Sequence, residues 1–138
     1  MREALDMLFE EGLENVWERH RILADAVRAA VEAWHAPNGF SFNVAEPRSR
    51  SNSVTTILTG DIDAAELRRI AEADAGLTLG IGLDEFANQA FRIGHMGHLN
   101  PPMILGTLGT IEATLTRMGA PMSGSGSAAA AAVIGAAL

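Results

Sequence analysis

The 138 residues, nearly half of them apolar, are enough for one domain with a proper hydrophobic core and exclude a disordered tail. A formal net charge of −7 and a pI near 5.0 argue against nucleic acid or an anionic membrane surface as partner. Cysteine is absent and every one of the ten basic residues is an arginine, so there is no disulfide, no thiolate chemistry and no lysine amine.

The amino terminus, Met1-Arg2-Glu3-Ala4-Leu5-Asp6, carries acids where a signal peptide needs an apolar core. Together with the shortness of the alanine-rich run Ala128 to Leu138, this points to a soluble, cytoplasmic protein. From Ala4 to Trp34, apolar residues recur at three- and four-residue steps (Leu5, Leu8, Phe9, Leu13, Val16, Trp17, His20, Leu23, Val27, Val31) and predict a long helix. Gly12 interrupts it and marks a bend or a junction of two helices. Pro37-Asn38-Gly39 ends the helical region with turn chemistry. Phe40 to Val44 alternates and predicts a strand; Arg48 to Asn52 reads as a polar loop. Val54 to Leu58, β-branched and apolar, is the clearest strand.

Asp63 with Glu66 predicts a capped helix running to about Asp74, with Gly76 as its stop. Leu77-Thr78-Leu79 predicts a short strand leading into Gly80-Ile81-Gly82, and Ala90 to Ile93 another. Asn100 followed by Pro101-Pro102 opens a helix whose apolar face is Ile104, Leu105, Leu108, Ile111, Leu115 and Met118, and Gly119 closes it. Ser123 to Ser127 reads as a flexible link and Ala128 to Leu138 as a closing helix. The order α-β-β-α-β-β-α-α predicts an α+β fold: a small, mainly antiparallel sheet with helices on one face and a long N-terminal helix.

Most chemical motifs fail on inspection. Gly80-x-Gly82 follows a strand, but position 85 is glutamate, which defeats a dinucleotide fingerprint. A P-loop needs its lysine. Ser125 lies between glycines, whereas a nucleophile elbow needs glycine at 123 and 127, and both are serine. His95-x-x-His98 lacks a third metal ligand at convincing spacing, so no metal site is expected, and Asp84 with Glu85 reads as solvated charge. Met96, Met103 and Met118 read as core filler. No side chain here is a candidate catalytic residue. Arg92 remains: an arginine fork set among Phe91, Ile93 and Gly94 either grips an anion, most often a carboxylate, or pairs structurally with Asp84, Glu85 or Glu112.

The stretch Phe91-Arg92-Ile93-Gly94-His95-Met96-Gly97 resembles the late strand of class-V, fold-type-I aminotransferases that use pyridoxal phosphate, in the alanine– and serine–glyoxylate branch. Arg2 to Trp34 resembles the long helix that enters their small domain, and Ser51 to Ile57 its first well-defined strand. Leu79-Gly80-Ile81-Gly82-Leu83 resembles the family's glycine pair, and Gly106-Thr107-Leu108-Gly109 with Ile111-Glu112-Ala113 the helix after the arginine strand. The likeness covers nearly the whole chain.

The resemblance implies that residues 1–138 are one domain, the C-terminal small domain of such an enzyme, with the cofactor-binding large domain outside the chain. It implies that Arg92 holds the α-carboxylate of a small amino acid of the serine or alanine type, and then of glyoxylate or a similar 2-oxo acid. Pyridoxal phosphate is the implied cofactor of the whole enzyme. The lysine that bonds to it, the aspartate under its pyridine nitrogen, the ring-stacking side chain and the phosphate loop have no counterpart here, so no cofactor-binding residue is expected and the chain alone is expected to be inactive. Apolar residues of the first helix beyond the reach of a small core imply a large-domain partner or a homo-oligomer. The alternative is a stand-alone interaction or structural domain of the same fold without chemistry.

Overall fold

The computed structural model describes residues 2–37 and 39–138. Helices α1 (Arg2–Glu11) and α2 (Leu13–Trp34) are two elements because Gly12 sits between them at φ 86°, a left-handed conformation that breaks helical geometry. The predicted long helix is thus a jointed pair. Strand β1 is only Ser41–Phe42, shorter than the predicted Phe40–Val44, and β2 is Val54–Leu58 as expected. Helix α3 (Ala64–Ala75) begins where the Asp63 carboxylate accepts the Ala65 and Glu66 N–H groups, and stops at Gly76 in the left-handed region. The Glu66 side chain does not complete a capping box; it pairs with Arg69.

The next strand starts later than the periodicity of Leu77-Thr78-Leu79 suggests. The Leu77 N–H is bound back to the Ala71 carbonyl, which keeps the chain tied to the end of α3. Pairing therefore begins only at β3, Gly80–Ile81. After a single 3₁₀ turn, Asp84–Phe86, β4 runs from Ala90 to Gly94. Helix α4 (Pro101–Met118) is capped by the Asn100 side chain and closed by left-handed Gly119; α5 spans Gly126–Gly135.

The four strands form one antiparallel sheet in the order β1-β2-β4-β3. Its register sets Thr55 opposite Ile93 and Ile57 opposite Phe91, and these residues are buried. Their neighbours alternate to the other face, where Thr56 stands opposite Arg92 and Val54 opposite Gly94. Trp34 and Phe40 pack at 5.8 Å between ring centroids, and Phe40 meets Phe91 edge-on at 6.1 Å. Leu23, Val27, Leu67, Leu108, Ile111 and Leu115 complete the core beneath the helices. The α+β architecture predicted from the sequence is the one observed. No helix among the described residues is long and apolar enough to cross a membrane.

Two sequence expectations need correcting. Met96 and Met103 are exposed, on a loop and on the first turn of α4, so of these three Met118 alone packs against the core. Ser123 to Ser127 is no plain flexible link. Ser125 caps α5 through the Ala128 N–H, and a Cβ at Gly126 would lie 2.5 Å from the Trp34 indole nitrogen, so the residue must be glycine to let the helix reach the core.

Candidate functional site

Arg92 lies in the middle of β4, partly buried, on the face that alternation turns away from Phe91 and Ile93. Its Nε–H donates to the Ile81 carbonyl of the edge strand at 2.7 Å. No ion pair to Arg92 forms among the described residues. The carboxylates weighed as structural partners are elsewhere: Asp84 and Glu85 are exposed on the 3₁₀ turn, and Glu112 is occupied by Trp34 and the start of α5. Beside Arg92, where the Leu77–Leu79 segment diverges from Ile93 and Gly94, a cavity of about 300 Å³ opens, bounded also by Val54 and by Thr107 of α4. A guanidinium tethered through Nε, lining such a cavity and without a carboxylate partner among the described residues, is suited to an anion.

Glu112 is the opposite case. Its carboxylate accepts from Trp34 Nε1 at 2.9 Å, Ser127 Oγ at 2.6 Å, the Ser127 N–H at 3.2 Å and the Gly126 N–H. Burial pushes this carboxyl up, but the bonds from Ser127, Trp34 and Gly126 outweigh it and hold the group below its ordinary value of 4.5. Glu112 thereby ties α4 to α2 and to the start of α5, a role the sequence reading missed. The clue was the Ser125-Gly126-Ser127 run itself, a helix start in need of an anion.

His95, just after β4, is fully buried. Nδ1 lies 3.0 Å from the Asn52 carbonyl, which only accepts, so Nδ1 carries the proton and Nε2 accepts from Thr55 Oγ at 2.9 Å. Burial lowers its pKa to about 4, against an ordinary 6.5. Both ring nitrogens are thus partnered within the fold. His98 is exposed, and among the described residues no cluster of three or more potential ligands gathers for a metal ion.

A second surface stands out on the jointed helices. Leu5, Phe9, Leu13 and Trp17 follow each other at four-residue steps and all are exposed, Phe9 by 70% and Trp17 by 63%. The joint is held by Arg19, which grips the Glu11 carboxylate with two nitrogens and donates to the Gly97 and Leu99 carbonyls.

No protein-family model matches the chain. It is 44% identical over 132 residues to the serine–glyoxylate aminotransferase of Methylorubrum extorquens, covering 94% of this chain and 32% of that protein. The Arabidopsis thaliana serine–glyoxylate aminotransferase is 43% identical with the same coverage. Among solved structures, pyridoxamine–pyruvate aminotransferase from Mesorhizobium loti superposes with a TM-score of 0.86 at 34% identity, over 97% of this chain and 34% of that one. The chain thus spans about a third of the length of the proteins it matches.

Proposed function

On the premise that the chain is the C-terminal, small-domain portion of a class-V aminotransferase, we propose that it holds the substrate carboxylate for transfer of an amino group from a serine- or alanine-type amino acid to glyoxylate or a similar 2-oxo acid. The observation that supports this most is Arg92, which lines a cavity, is tethered through Nε and pairs with no carboxylate among the described residues. Both the amino acid and the 2-oxo acid bear a carboxylate next to the reacting carbon. One fixed fork therefore serves both half-reactions, and fixing the carboxylate fixes the Cα–H bond against the proton acceptor.

The family's aminotransferases depend on pyridoxal phosphate, which supplies the electron sink for the chemistry. The residues of this chain do not fit that group: covalent attachment needs a primary amine side chain, and the sequence has no lysine. The attachment must come from a large domain, which is the partner we propose. The exposed ladder Leu5, Phe9, Leu13 and Trp17 supports a partner or a second copy on α1 and α2, since bare apolar surface of this kind is seldom left to water. A cytoplasmic location, and residues 1–138 as one domain, belong to the same proposal.

The test joins the chain in register to the large domain of the Methylorubrum extorquens relative. The chain alone is expected to show no transamination and no borohydride-trapped pyridoxal on an internal residue. The joined protein is expected to transfer the amino group of serine to glyoxylate. Turnover by the isolated chain, or a folded, cofactor-loaded joined protein without turnover, would contradict the proposal.

A further inference from the structure

We infer that Gly80 and the main-chain carbonyl of Ile81 set the pose of Arg92, so that a substrate carboxylate is taken end-on by Nη1 and Nη2; this rests on Arg92 being the carboxylate anchor.

The antiparallel register puts Gly80 directly opposite Arg92. A Cβ on Gly80 would stand 3.1 Å from Arg92 Cβ, 3.4 Å from its carbonyl oxygen and 3.5 Å from Nε. The arginine stem therefore lies flat across the glycine, from its root to its first nitrogen. Gly80 is not among the glycines with positive φ, so its backbone places no demand for glycine. On an edge strand a β-branched residue is ordinarily the better choice, and glycine weakens the pairing. The nearest atoms that a side chain would meet all belong to Arg92.

The Nε–H bond to Ile81 then decides which part of the fork is free. A guanidinium receives a carboxylate through two donors, either along the Nε/Nη2 edge or across the Nη1/Nη2 end. The 2.7 Å bond to the Ile81 carbonyl consumes the Nε donor and closes the first approach. Only the end remains, so the carboxylate lies beyond Cζ with its own Cα further along the same line. A side chain at residue 80 would lift the stem, break the Nε bond and swing that line. Gly80 is in this sense a positioning residue.

The experiment measures kcat, KM and melting temperature in the complete enzyme, this chain joined to a large domain, for Gly80→Ala, Gly80→Val and Arg92→Ala. The 138-residue chain, labelled with ¹⁵N-arginine, reports the Arg92 Nε–H resonance for the same Gly80 variants. Misplacement of a clamp by a fraction of an ångström is expected to raise KM a few-fold in Gly80→Ala and roughly tenfold in Gly80→Val. Melting temperatures are expected to hold or rise, and the Arg92 Nε–H is expected to lose its protection from exchange. The one-methyl change gives the strand no reason to unfold, so it carries the test by itself where the valine variant fails to fold. If both Gly80 variants keep the parental KM while Arg92→Ala raises it, the positioning inference is overturned and the reading of Arg92 stands. If the Gly80 variants melt lower with unchanged KM in the folded fraction, Gly80 is a structural glycine and the inference is again overturned. If Arg92→Ala itself leaves KM untouched, the reading of Arg92 fails and the inference falls with it.

Discussion

Arg92 and Glu112 are both partly buried charges on regular elements, and they differ in how their hydrogen-bonding capacity is used. Glu112 receives donors from a tryptophan, a serine hydroxyl and two main-chain N–H groups. Arg92 makes one side-chain bond among the described residues, from Nε, and lines a cavity. A charge whose partners are all supplied by its own fold is structural, because removing it leaves those partners unpaired. A charge held in place with protein partners at one nitrogen alone can take a ligand without breaking the fold, the role proposed for Arg92. Substitution at the two sites should therefore act on different quantities.

The largest effect is expected at Glu112. Its removal orphans the buried Trp34 N–H and unties the first turn of α5, so Glu112→Ala should cost about 3–4 kcal/mol in urea unfolding. Catalysis by the folded fraction of the complete enzyme should be unchanged; a normal unfolding midpoint would remove the structural role. His95 extends the contrast to pH. Its folded pKa of about 4 lies below the ordinary 6.5, so the unfolded chain binds more protons between those values. This contribution is present above pH 6.5 and is lost as the pH falls toward 4, by roughly 3 kcal/mol in all. Equilibrium unfolding across that range should show the slope, and His95→Gln should flatten it.

Arg92→Ala should leave stability nearly intact and lower kcat/KM of the complete enzyme about ten- to hundredfold, the effect of losing about 1.5–3 kcal/mol of charge-assisted bonding. Arg92→Lys should recover little, because an ammonium does not reproduce the planar fork. The smallest change sharpens the Glu112 side. Ser127→Ala removes one bond of 2.6 Å and should cost about 1.5 kcal/mol, with the Glu112 carboxyl moving upward, as a carboxyl-resolved NMR titration would register.

The sequence was most readable where signals are local. Asp63 and Gly76 bound α3, Asn100 and Gly119 bound α4, and Val54–Leu58 declares itself by β-branching; each depends on residues within a few positions. The break at Gly12 was visible, though only its φ of 86° decides between bend and junction. What escaped depends on contacts distant in sequence. Leu77–Leu79 has the alternation of a strand, yet the bond from Leu77 to Ala71 holds it back and delays pairing to Gly80. Ser123–Ser127 has the composition of a link; the local Ser125 cap starts the helix, and the Glu112 carboxylate, fourteen residues before Gly126, anchors that start to the core. Arg92 was singled out by its apolar flanks, but its possible partners Asp84, Glu85 and Glu112 could not be separated without the fold. The need for glycine at position 80 was equally hidden, because it exists only across the β3–β4 register.

One paired measurement separates the two charges: melting temperature and kcat/KM for Arg92→Ala beside Glu112→Ala, both in the complete enzyme. The predicted result is crossed, with Arg92→Ala keeping its melting temperature while losing kcat/KM and Glu112→Ala doing the reverse. A lowered melting temperature for Arg92→Ala with normal kcat/KM in the folded fraction would contradict the account and make Arg92 a structural residue.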